Sequence, residues 1–198
     1  MGVKKKFSMT HIHNLTVSTI GHSTHPIEEF IRMLAAHGIR QLVDVRTIPK
    51  SRHNPQFNRE NLPASLQSVG IDYRHLPGLG GLRHPRKDSI NTGWRNASFR
   101  GYADYMQTPE FAEDLDHLIQ LASDAPTAIM CAEAVPWRCH RSLIADALVV
   151  RGLRVLEIMN VTKSQPHALT PFAKVEGTEL TYPAEADSLD LPLFSQLE

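Results

Sequence analysis

TAIMCAEAVPWRCHRSLIADALVVRGLRVLEIM, residues 127–159, decides the fold. It opens with TAIMCAE (127–133), a run of strand length with an apolar centre. SLIADALVVRG (142–152) reads as a helix. LRVLEIM (153–159) is again a strand. Strand, helix and strand in that order predict parallel pairing through a right-handed crossover.

The same alternation extends toward the N-terminus. LTVSTI (15–20) is short and β-branched, hence a strand. HPIEEFIRMLAAHG (25–38) reads as a helix, with Pro26 in its first turn, Glu28 and Glu29 at its positive end and Gly38 as its stop. RQLVDVR (40–46) and IDYRHL (71–76) are strands, with a helix between them from Asn58 or Asn61 to Val69. FRGYADYMQ (99–107) and PEFAEDLDHLIQLAS (109–123) are helical, and residues 160–183 are less regular. Residues 77–98, rich in Gly, Pro and Arg, form a long loop of the kind that is functional or mobile. The pattern predicts one α/β domain over residues 15–183: a mostly parallel sheet with helices on both faces, Rossmann-like in the loose sense. A flexible N-terminal tail, 1–14, and an acidic C-terminal tail, 184–198, flank it. No GxGxxG follows the first strand, so no dinucleotide is inferred and the cofactor is left open.

Composition narrows the function. No apolar run reaches the roughly 18 residues of a membrane span, so no membrane partner is expected. The opening MGVKKKFSMTHIHNL lacks the apolar core of a secretory signal, which makes a cytoplasmic location with reduced thiols the default. Net charge is zero, yet Arg46–Arg100 holds ten Lys/Arg against three acids. That asymmetry predicts an anionic small molecule or a nucleic acid as partner. Aromatic residues interleaved with this stretch, from Phe57 to Trp137, suit stacked bases or a packed core. Oligomeric state is not legible.

Ligands of open parallel sheets bind at the carboxyl ends of the strands. Four predicted strand ends carry polar residues: Gly21, His22 and Ser23; Asp44 and Arg46; His75, leading into Gly80 and Gly81; and Cys131 with Glu133. The helix after the last begins through Arg138, Cys139, His140 and Arg141. Cations at a helix N-terminus oppose its dipole unless an anion lies there, so a phosphate or carboxylate is expected. In this reading Arg46, Arg138 and Arg141 hold phosphate, while Gly21, Ser23, Gly80 and Gly81 allow close approach. Glu133 or Asp44 is the acid/base group, Cys131 or Cys139 the nucleophile, and His22 and His140 orient or carry protons. Six residues separate Cys131 from Arg138, one more than a phosphatase loop of the form Cys, five residues, Arg. Cys131, Cys139, His140, His22 and His167 offer soft metal ligands, but their spacing fits no common zinc pattern, and no metal is assigned.

TIGHS (19–23), DVR with PKS (44–46 and 49–51), GIDYRHLPGLGG (70–81), CAEAVPWRCHR (131–141) and, more weakly, HALTPFA with LTYP (167–173 and 180–183) carry a resemblance. The sequence resembles an uncharacterised family, domain of unknown function 488, over residues 15–183. The resemblance implies an α/β fold and a pocket built on these motifs, without a settled reaction. The function expected is that of an enzyme, a hydrolase or transferase, acting on a nucleotide or nucleic acid. The alternatives are a non-catalytic nucleic-acid-binding module and a thiol redox or metal-binding protein.

Overall fold

Alternating side chains along each strand build two apolar layers, one on each side of a sheet. The computed structural model describes residues 15–184. Its strands are β1 (Thr16–Gly21), β2 (Gln41–Asp44), β3 (Asp72–His75), β4 (Thr127–Cys131), β5 (Arg154–Ile158) and β6 (Ser164–Pro166). They form one sheet in the order β3-β2-β4-β1-β5-β6, parallel except for β6. A separate hairpin pairs β7 (Lys174–Glu176) with β8 (Glu179–Thr181). The helices are α1 (Ile27–Ala36), α2 (Leu62–Gln67), α3 (Ala97–Tyr105), α4 (Pro109–Asp124) and α5 (Arg141–Val150).

Neighbouring strand residues point to opposite faces. Ile20, Leu42 and Met130 meet Phe30, Met33 and Leu34 of α1 and Leu62 and Leu66 of α2 on one side. Val17, Val43, Ile129 and Val155 meet Tyr102 of α3, Phe111 and Leu115 of α4 and Leu143 of α5 on the other. The crossovers to β2 and β3 thus run over one face, and that from β4 to β5 over the other. The chain reverses direction at the adjacent strands β1 and β4, which is where a doubly wound sheet opens a crevice.

The fold is the expected α/β sheet with helices on both faces, and three details differ from the sequence reading. Strand β4 stops at Cys131, so Glu133 stands on the following loop, not on a strand. Residues 160–183 contain β6, β7 and β8, each only three residues long and too short to show a period. The 77–98 loop is tied down: buried Asp104 accepts from the Arg86 N–H, the Ser89 hydroxyl and the Asn91 amide, and Asn91 accepts from the Tyr182 N–H. The expected tails, 1–14 and 184–198, lie outside the described residues apart from Ala184. Among the described residues, no helix is long and apolar enough to cross a membrane.

Candidate functional site

The β1 and β4 ladder continues past both strands. The His22 N–H donates to the Cys131 carbonyl and the Ser23 N–H to that of Ala132, each at 2.9 Å. This zips the GHS turn against loop 132–134. Gly21 is required there, because a Cβ would collide with the Glu133 carbonyl. Only backbone stands in the way, so relief means moving the loop. Gly21→Ala is therefore expected to cost about 1–3 kcal/mol of stability, read as a lowered urea midpoint. Ser23 takes a left-handed φ of 47°, a conformation that residues other than glycine adopt mostly where surrounding bonds enforce it.

Arg46 is the centre of the next layer. Its Nε donates to Asp44 Oδ1 at 2.9 Å, and its Nη2 donates to Asp44 Oδ2 at 2.5 Å and to the Phe57 carbonyl at 2.7 Å. Its Nη1 lies 3.2 Å from His22 Nε2. The guanidinium can only donate, so His22 Nε2 accepts, and the ring carries its proton on Nδ1, which donates to the Ser23 carbonyl at 2.9 Å. Burial, with Arg46 adding to it, holds His22 below the ordinary histidine value and keeps it neutral. Phe57 stacks on the ring at 4.3 Å between centroids. Asp44 is 0% exposed and accepts also from the Arg46 N–H and the Tyr73 hydroxyl. Burial first, then Asp44, pushes the Tyr73 phenol up, so it stays a donor. Asp44 thus positions Arg46. Four of the five N–H groups of Arg46 are spoken for; one on Nη1 has no protein partner among the described residues.

These layers wall a cleft of about 390 Å³ at the carboxyl edge of the sheet. It is lined by His22, Ser23 and Thr24; by Arg46, Ile48, Lys50, Ser51 and Asn54; and, opposite, by Ala132, Glu133 and Ala134. Of the residues expected from sequence, His22, Ser23, Arg46 and Glu133 come together here. Lys50, Ser51 and Asn54 join them; PKS (49–51) was visible as a motif, but nothing in its spacing says it folds back over β1.

The remaining expected residues lie elsewhere. Arg141, 1% exposed, donates to the Glu133 carbonyl at 2.5 Å and the Ala134 carbonyl at 2.9 Å. It clamps the loop where the sequence reading expected it to hold phosphate. Arg138 is exposed on a short turn, Pro136–Arg138, and does not line the cleft. His167 is held between Asp146 and Glu157, away from the cysteines. Phe57 and Tyr102 are wholly buried, while Trp137 is 63% exposed on the 136–138 turn.

Cys131, Cys139 and His140 form a second cluster, next to the cleft but not lining it. Both cysteines are free and buried, Cys131 being 7% exposed. His140 Nδ1 lies 3.9 Å from the Cys131 sulfur and 3.7 Å from that of Cys139. The Cys139 S–H donates to the Cys131 sulfur; with His140 and the Glu133 N–H, and against burial, this holds the Cys131 thiol well below its usual value. The same bond, then burial, pushes Cys139 well above. The α5 start serves this cluster: the Arg141 N–H faces the Cys139 sulfur, and the Ser142 and Leu143 N–H groups bond the Cys139 and His140 carbonyls. Gly81 packs on His140, where a Cβ would stand 2.5 Å from Nδ1, and Gly80 packs on Thr47.

No curated protein and no solved structure matches the chain. The family model for the domain of unknown function DUF488 matches residues 26–148. That stretch holds DVR, GLGG and the whole CAEAVPWRCHR loop, while TIGHS and the weaker C-terminal motifs fall outside it. A match over more than half of the chain, carrying both walls of the cleft beyond β1 and all three members of the thiol cluster, makes this protein a member of the DUF488 family.

Proposed function

We propose that the protein is an enzyme acting on a phosphate-bearing substrate, a nucleotide or a nucleic-acid strand, bound in the 390 Å³ cleft. One observation carries the reading: Arg46 is locked in place by Asp44, His22 and Phe57, yet keeps one unpartnered N–H and lines the cleft beside Lys50. A guanidinium already desolvated and oriented loses little freedom on taking an anion. Ser23, Ser51 and Asn54 add neutral polar groups for phosphate or sugar oxygens. Glu133, exposed on the facing wall, is the acid/base group, since Asp44 is fully engaged. Neutral His22 relays orientation from Arg46 to the Ser23 turn. The thiols lie outside the cleft and are not assigned the reaction.

Isothermal titration with nucleoside monophosphates and short single-stranded oligonucleotides tests this. Lys50→Ala and Arg46→Lys should each weaken binding about tenfold or more, the value of one charge-assisted hydrogen bond. Glu133→Gln should leave binding in place and stop turnover. Unchanged affinity in both cation variants would remove the proposal. A second reading, a binding module without catalysis, draws support from Trp137 exposed beside Arg138. It predicts affinity that falls steeply with salt and is lost in Trp137→Ala, with no turnover in any variant.

A further inference from the structure

His140 fixes the chemistry of its own corner. Its Nε2 lies 3.1 Å from the Val45 carbonyl, which can only accept, so Nε2 carries the proton. Nε2 is thereby occupied, and Nδ1 is the ring atom that faces the two sulfurs. The separations of 3.9 and 3.7 Å are long for hydrogen bonds from weak thiol donors. They are close to a different standard. With metal–sulfur bonds of about 2.3 Å and metal–nitrogen bonds of about 2.0–2.1 Å, a tetrahedral site has nitrogen–sulfur edges of about 3.6 Å. All three donor atoms lie within 4.8 Å of one another.

The surroundings match a ligand set as well. A ligating histidine commonly donates its other N–H to a carbonyl, as His140 does to Val45. The Glu133 N–H faces the Cys131 sulfur and the Arg141 N–H that of Cys139, which suits thiolates. The short turn at Pro136–Arg138 brings Cys139 and His140 back to the end of β4. Among the described residues no fourth His, Cys, Asp or Glu joins the group.

We propose that Cys131 Sγ, Cys139 Sγ and His140 Nδ1 bind a soft divalent cation of the zinc class, which takes its remaining ligand from solvent. Three protein ligands with a fourth position left to water are the pattern of reactive zinc sites, whereas structural sites close all four. Both cysteines bind as thiolates, so every proton the two thiols carry leaves to solvent on binding. The inference does not rest on the phosphate reading; either can fail alone.

Cobalt(II) titration of chelator-treated protein tests it. One equivalent per chain should give the visible bands of tetrahedral cobalt with a thiolate-to-cobalt charge-transfer band, both removed by adding zinc. Cys131→Ser, Cys139→Ser and His140→Asn should each weaken cobalt binding by more than the roughly 10–100-fold that changes outside the ligand shell cost. A weak octahedral spectrum, or a tetrahedral one surviving in the double cysteine variant, overturns the site. Alkylation of the unmodified protein covers variants that fail to fold. One equivalent of zinc should shield both thiols and a chelator should expose them; rates indifferent to zinc overturn the site equally.

Discussion

His167→Ala is expected to destabilise the protein by about 3–5 kcal/mol at neutral pH, because it strips the cation from a buried charged cluster. His167 Nδ1 lies 2.8 Å from Glu157 Oε1, and its Nε2 2.8 Å from Asp146 Oδ1. Asp146 also accepts from the Thr170 hydroxyl and N–H and from the Tyr182 hydroxyl, and Glu157 accepts from Gln165. The cluster ties the segment after β5 to α5 and, through Tyr182, to the anchored 77–98 loop. Burial pulls the imidazolium down, but Asp146 and then Glu157 outweigh it and hold His167 up at about 9. Since that lies above the ordinary value of about 6.5, the stabilisation is complete below about pH 6.5 and is lost as pH rises through 9. The difference of two to three units corresponds to roughly 3 kcal/mol. Glu157, held low by His167 and Gln165 against burial, contributes in the opposite sense and loses its part in acid. Urea unfolding at about pH 6.5 and about pH 9.5 measures the slope. Equal stability at the two would mean that His167 is neutral in the folded protein.

Asp44→Ala is the second large effect. It leaves the Arg46 guanidinium nearly buried with only Phe57 and His22 as partners, and it takes the acceptor from Tyr73. Breaking a buried pair in this way costs about 3–5 kcal/mol. The released Arg46 also lets His22 turn, so the cleft loses its fixed cation as well as stability. Asp44→Asn separates the two outcomes. It keeps the shape and one acceptor, so the fold should survive at smaller cost while ligand affinity still falls. Calorimetric melting of both variants, with ligand titration of the asparagine one, reads them apart. An Asp44→Ala protein that melts within a degree of the parent would show that Arg46 is not held as described.

The sheet was legible because its strands are apolar runs between helices of plain amphipathic pattern. β1, β2, β4 and β5 and the helices between them fell where TVSTI, QLVD, TAIMC and RVLEI put them. Strands of three residues carry no period, which hid β6, β7 and β8. The carboxyl edge was legible as a place, and His22, Ser23, Arg46 and Glu133 meet there. Roles were harder to read, since they depend on which partner a charged group finds. Arg141 and Arg46 look alike in sequence. One turns back to two loop carbonyls, and the other is held by an aspartate two residues away with an N–H to spare. The members of the thiol cluster were legible in sequence, but not that Cys131, Cys139 and His140 meet without His22 and His167. Their spacing fits no common zinc pattern, and a single turn at Pro136–Arg138 brings the donors together.

Crystals soaked with a nucleoside monophosphate give the most direct test of the account, which holds that the cleft between the GHS turn and loop 132–134 is built to take an anion. The phosphate should appear within hydrogen-bond distance of Arg46 Nη1 and Lys50, across from Glu133. Phosphate bound instead at Arg138 and the start of α5, with the cleft holding none at saturating ligand, would contradict it.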